Sequence, residues 1–159
     1  MKELNELNGP QELRYEFYIG AAPERVWECL VSPDEIKQIY YGSSIRSSFV
    51  EGESLEYVGP GADGNETVHV YGTLLEYVPH RALRFTHKVG PSYVKNGENY
   101  ESRISWLLEP ARSCTKLTLI HDGWHPADSS YTASDSAWWQ ILSNTKTLAE
   151  TGRTLDFGW

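Results

Sequence analysis

The 159-residue chain sets 14 Lys and Arg against 22 Asp and Glu, a formal net charge of -8, with 40% apolar and 13% aromatic residues. That apolar content excludes a disordered chain, and the length suits one hydrophobic core rather than two. The acidic balance excludes the general basic footprint of a nucleic-acid binder, and no apolar run approaches the roughly 18 residues of a membrane-spanning helix. Cys29 and Cys114 make no disulfide framework, and the polar start MKELNELNGPQEL lacks the apolar stretch of a signal peptide. A cytoplasmic protein that folds without disulfide or metal is expected.

Residues 1–11 read as a flexible polar tail. Leu13, Tyr15, Phe17 and Ile19 then alternate with Arg14, Glu16 and Tyr18, which predicts a strand with one buried face. Pro23 and Glu24 open a helix whose apolar side is Val26, Trp27 and Leu30. Ser32 and Glu35 have the spacing of a capping box and start a second short helix, with Ile36, Ile39 and Tyr40 inward and Gly42 as its stop. From Ser43 to His121 the pattern is strands and turns, with strands over 45–50, 54–58, 67–78, 83–89, 102–109 and 115–121. Gly72 marks a bend or bulge in the longest of them, and Asn96-Gly97 signals a tight turn. Parity places Leu55 with Tyr57, Phe85 with His87, Ile104 with Trp106, and Leu119 with His121 on common faces. Trp138, Ile141, Leu142, Thr145, Leu148 and Ala149 recur at spacings of three and four, a long amphipathic helix ended by Gly152. Strands run together between helices, which argues α+β: an antiparallel sheet of about six to seven strands, two short helices after the first strand, and a long C-terminal helix. One domain over 12–153 is expected, with 154–159 as a C-terminal tail. A curved sheet that grips one helix leaves a gap suited to an apolar ligand.

The segments that follow resemble a known family. They are Ala22-Pro23-Glu24-Arg25-Val26-Trp27, then Ser32-Pro33-Asp34-Glu35-Ile36, then Gly72 to His87, Ile104 to Pro110, Leu117 to Gly123, and Trp139 to Gly152. In this order, over roughly 12–152, the chain resembles the homologues of the activator of the heat-shock-protein-90 ATPase. These belong to the START-like (SRPBCC) superfamily with the helix-grip fold. The resemblance implies an apolar cavity under the last helix. It also implies binding of small hydrophobic or lipid-like molecules, a role in stress responses, or contact with a chaperone, as monomer or homodimer. Relatives in the wider superfamily are polyketide cyclases and dehydratases. The sequence departs from the family pattern at Trp138, where a small residue is usual, at Thr145 in place of leucine, at His87 in place of an aromatic, and at Tyr40-Tyr41. Trp138 either fills the cavity or walls it.

The candidate ligand-binding residues are the rings and inward groups that this architecture gathers: Tyr40, Tyr57, Tyr71, Phe85, His87, Trp106, His121, Trp138, Trp139 and Leu142. Rings with two imidazoles suit a planar, partly polar ligand. His87 and His121 are also the only candidates for a catalytic base, set against the reading that they are hydrogen-bonded core residues. The spacing His121-Asp122-x-x-His125-x-x-Asp128 is compatible with a metal site, but His121 ends a strand and His125-Pro126 lies in a loop, so no metal is expected. No nucleophile elbow, phosphate loop or dinucleotide fingerprint is present, and no cofactor is expected. The glycines of Gly59 to Gly64 join two strands, without the helix N-terminus that phosphate binding needs.

Overall fold

The alternation at the start of the chain becomes strand β1, Leu13–Ile19, with Leu13, Tyr15 and Ile19 buried. A computed structural model describes residues 11–159. The tail expected over 1–11 therefore lies, but for Gln11, outside the described residues. Helices α1 (Pro23–Val31) and α2 (Pro33–Ile39) follow, each with proline in its first turn. Strands β2 (Ser44–Ser47), β3 (Ser54–Pro60), β4 (Glu66–Val78), β5 (Ala82–Val89), β6 (Ser102–Ala111) and β7 (Cys114–Asp122) come next. Helix α3, Tyr131–Thr151, closes the fold, and Gly152 ends it in the left-handed conformation at φ 76°.

The strands form one antiparallel sheet in the order β1-β7-β6-β5-β4-β3-β2. From β2 to β7 sequence neighbours are sheet neighbours, and only β1 crosses to the far side to pair with β7. The faces follow the predicted parity: Leu55 and Tyr57, Leu83 and Phe85, Ile104 and Trp106, Leu117 and Leu119 are all buried. Two bulges interrupt β4. Tyr57 faces Val70 but Val58 faces Val68, so His69 has no counterpart on β3. Leu74 faces Phe85 but Glu76 faces Arg84, so Leu75 is the second extra residue. The Asn96-Gly97 turn forms with φ positive at both residues. It lies inside the connection between β5 and β6, after a single 3₁₀ turn at Pro91–Tyr93.

The capping box does not form. The Ser32 side chain makes no capping bond, and the Glu35 carboxylate turns to Arg25, whose Nη1 and Nη2 donate to it at 3.2 and 3.4 Å. A charged guanidinium is a stronger donor than the free amide at the helix start, so the tertiary partner wins. Arg25 Nη2 also donates to the Leu148 carbonyl at 3.3 Å, near the negative end of α3. Arg25 thus ties α1, α2 and α3 together. Arg25→Ala is expected to lower stability by about 1–2 kcal/mol, because the contacts are only partly shielded from water. Urea denaturation with an unchanged m-value checks this, and no loss would mean the three-way contact is slack.

The backbone of α3 comes closest to α1, α2 and β1. Over the middle of the sheet the distance is bridged by rings rather than by close backbone packing. Trp138 stands edge-on to Trp106 of β6 at 5.7 Å between centroids. Segment 154–159 forms no helix or strand, yet it lies along α3. The Leu155 N–H donates to Oδ1 of buried Asn144 at 2.7 Å, and the Trp159 ring lies 4.5 Å from Tyr41. Among the described residues, no helix is long and apolar enough to cross a membrane.

Candidate functional site

Between α3 and the sheet lies a cavity of about 480 Å³. Tyr40, Tyr41 and Ser43 from the end of α2 form one side, His69 and Val70 of β4 and His87 and Val89 of β5 the floor, and α3 the roof. The roof explains why space remains. Ala133, Ser134 and Ala137, with Ser130 at the helix start, carry almost no side-chain volume where the helix passes over the sheet. Trp138 and Ile141, further along, reach down and close the inner end.

Trp138 is a wall and not a plug. It is buried, edge-on to Tyr40 at 6.1 Å and to His121 at 5.8 Å. Its Nε1–H donates to His121 Nδ1 at 3.0 Å. Nδ1 must then carry the lone pair, so Nε2 carries the proton and donates to Ser102 Oγ at 2.7 Å. The Trp124 indole lies 4.0 Å from the same imidazole and donates Nε1–H to the His121 carbonyl at 2.8 Å. His121 is therefore a neutral, fully engaged core residue. Protonating Nδ1 would set a donor against the Trp138 donor. Burial first, and the neighbouring His87 second, hold its pKa well below the ordinary value.

His87 is different. Its ring lies 5.0 Å from that of His121. Its imidazole makes no side-chain hydrogen bond to another described residue, and its ring nitrogens are not sealed off from open space. Burial lowers its pKa to about 4, and the nearby charge of Asp128 opposes that shift only in part. At neutral pH it offers an uncharged imidazole with one donor and one acceptor. His87, with Val89, Tyr93, Ser130 and Ala133, also lines an adjoining chamber of about 360 Å³, whose wall includes Lys95, Glu98 and Asp128. An apolar chamber and a more polar one thus meet along these residues.

Of the residues singled out in the sequence, Tyr40, His87, His121 and Trp138 line the cavity together. Tyr57, Phe85 and Trp106 point the same way but lie beneath, fully buried, with Tyr57 stacked on Tyr40 at 4.3 Å. They shape the wall from behind. Tyr71 does not reach it: Val70 and Leu74 take the inner face of β4, so Tyr71 points outward, where its hydroxyl accepts from Asn99 at 3.4 Å. Trp139 and Leu142 face the β1 side of α3. There Trp139 stands edge-on to Tyr15 and remains 57% exposed. A step of one residue turns a helix by about 100°, which separates Trp139 from Trp138.

His69, Ser43, Tyr93 and the small residues of α3 line the cavity without having been singled out. The recurrence of Ser130, Ala133, Ser134 and Ala137 at spacings of three and four was a readable signal of a roof with room beneath it. His69 was not readable, because only the bulge turns it and Val70 to the same chamber. The residues of the His121–Asp128 run diverge. Asp122 pairs with Arg103 at 2.8 Å, His125 stacks on Tyr100 at 4.0 Å, and Asp128 accepts from Ser130. Among the described residues, no three His, Cys, Asp or Glu gather into a group that could hold a metal ion.

The sequence profile described as Activator of Hsp90 ATPase homolog 1-like protein matches residues 20–150. Among solved structures, a protein of Mesorhizobium loti superposes with a TM-score of 0.70 at 18% identity, over 87% of this chain and 96% of that one. The Aha1 dimer of Colwellia psychrerythraea gives 0.67 at 19% identity, over 90% of this chain and 98% of that one. DynU16, of the dynemicin biosynthetic locus, gives 0.71 at 18% identity, over 94% of this chain and 51% of that one. Likeness at these identities shows the fold, the α+β helix-grip fold expected from the sequence. No curated protein matches the chain.

Proposed function

The chain belongs to the family of Activator of Hsp90 ATPase homolog 1-like proteins, and from that premise we propose that it binds a small hydrophobic molecule between sheet and helix, as a carrier or sensor. The observation that carries this reading is the cavity of about 480 Å³ whose wall is almost wholly apolar or aromatic. That volume lies in the range of sites for drug-sized ligands. The small residues of the α3 roof keep the space from being packed shut.

Enclosure by rings supports an affinity on the order of micromolar for a ligand of this size. The test uses the protein's own fluorophores. A panel of fatty acids, flavonoid-like aromatics and polyketides is titrated while tryptophan emission is followed. Saturable quenching by at least one class is expected, and Trp138→Phe should remove most of it while the variant still binds by calorimetry. No saturable response from any class would overturn the reading.

A cyclase-like role has weaker support. DynU16 shares the fold only. His121 has both ring nitrogens engaged, and no carboxylate shares the main chamber with His87 among the described residues. The family description names an activator of the Hsp90 ATPase. Contact with a chaperone is therefore a further property to test by pull-down, in which absence of the chaperone would count against it.

A further inference from the structure

The polar groups of the main chamber fall into two sets. Tyr41, His69, Tyr93, His121, Ser130 and Trp138 spend their polar atoms on protein partners. Tyr93 donates to His69 Nδ1 at 2.5 Å, and His69 Nε2 then donates to the Pro60 carbonyl at 3.1 Å. The other set has no protein partner among the described residues. Its buried members are the Tyr40 hydroxyl, the Ser43 hydroxyl and the His87 imidazole, in residues only 7%, 2% and 9% exposed, and the half-buried Ser134 adds a further hydroxyl. The three buried residues all line the chamber, and none of their unpartnered polar atoms is sealed off from open space. Buried polar groups are normally satisfied, so three left open toward one cavity mark where a ligand's own polar atoms belong.

Charge sets the second limit. Among the described residues, no Lys, Arg, Asp or Glu lines this chamber. Its open groups are a phenol, two alcohols and an imidazole. A carboxylate or phosphate would leave water for hydrogen bonds alone, with no opposite charge in the lining to meet it, since Lys95 stands in the adjoining chamber with Glu98 and Asp128, and such desolvation is costly. A hydroxyl or carbonyl oxygen loses far less on transfer, and Tyr40 can donate to it while His87 accepts from a hydroxyl.

Resting on the binding reading above, we infer that the chamber takes an uncharged planar molecule bearing a hydroxyl or carbonyl oxygen, a hydroxylated aromatic, and rejects the carboxylate of the same ring. Tyr40 and His87 are the residues that choose the oxygen. The flat walls of Trp138 and Tyr40 hold the ring.

The test is calorimetry of the full chain near neutral pH with three probes of one ring size: naphthalene, 2-naphthol and 2-naphthoate. Saturable binding of 2-naphthol is expected, with 2-naphthoate weaker by at least about a hundredfold. Tyr40→Phe and His87→Phe should each weaken 2-naphthol by about fivefold, the loss of one hydrogen bond, and leave naphthalene unchanged. The naphthalene arm separates loss of the polar contact from collapse of the cavity. Binding of 2-naphthoate as tight as that of 2-naphthol would overturn the inference and leave the binding reading standing. So would binding of other hydrophobic molecules in the panel without any of 2-naphthol. If nothing binds from panel or probes, both fall.

Discussion

Gly72→Ala is expected to destabilise the fold by more than about 3 kcal/mol, a large share of the 5–15 kcal/mol that holds a domain together. A β-carbon at this position would lie 1.7 Å from the Thr86 carbonyl oxygen, and the obstacle is backbone. The two strands meet unusually here. Between the rungs Tyr71–Lys88 and Leu74–Phe85, the Thr73 amide donates to the Thr86 hydroxyl at 2.8 Å, a side-chain bond inside the ladder. A methyl group forces β4 and β5 apart where β5 carries His87, so stability and any ligand response should fall together. Gly64→Ala provides the contrast. Its φ is +80° but nothing lies within 4 Å of the added carbon, so only the strain of about 1–2 kcal/mol for a left-handed residue is expected. Denaturant unfolding of both variants checks the ordering. Equal losses would mean that the strands at Gly72 can separate freely.

Acid should unfold the protein earlier than its carboxylates require. His87 takes up a proton at about 4 in the fold against an ordinary 6.5, and His121 is shifted in the same direction. Between those values the unfolded chain binds more protons, so stability is full above about pH 6.5 and falls as the pH drops toward 4. At about 1.4 kcal/mol per unit, His87 alone removes about 3 kcal/mol over this interval. The groups facing the pair from neighbouring elements are Asp128, which favours protonation of His87, and Trp138 and Ser102, whose bonds keep His121 neutral. Carboxylates with lowered pKa, such as Glu150 beside Lys146 and the Gly20 amide, act only below the usual carboxylate range, about 4.5. Denaturation midpoints measured from pH 7 downward should therefore fall before about pH 4.5, and His87→Phe should flatten much of that slope. A wild-type curve flat over this interval would show that neither imidazole is held neutral by the fold.

Both predictions concern β5 and its neighbours, which were read from the sequence in different degrees. That His87 points inward follows from strict alternation with Phe85 and Leu83, a count of two that no neighbour needs to supply. That it ends up without a partner, while His121 acquires three indole and hydroxyl contacts, depends on where α3 and the Trp124 loop come to rest. The Ser32–Glu35 pair makes the same point at shorter range. The pattern of a capping box was present, but Arg25 stood ten residues away in sequence and beside it in space. Tyr71, Trp139 and Leu142 were assigned to the cavity as rings and inward groups that the resembled architecture gathers there. One position along β4, or one along α3, was enough to turn them elsewhere.

What the sequence by itself determined is the order of the elements, the buried face of the strands without bulges, the stop of α3, and with them the helix-grip architecture. Periodicity, proline and glycine act locally, and their consequences hold whatever packs against them. The existence and character of the chamber were decided only by the tertiary structure. The cavity depends on the height at which α3 crosses the sheet, on a bulge that brings His69 beside Val70, and on whether Trp138 swings into the gap or bonds to His121. Each of these is settled by groups far apart in the chain competing for the same few ångströms, where a rotation of 100° or one extra residue exchanges wall for solvent.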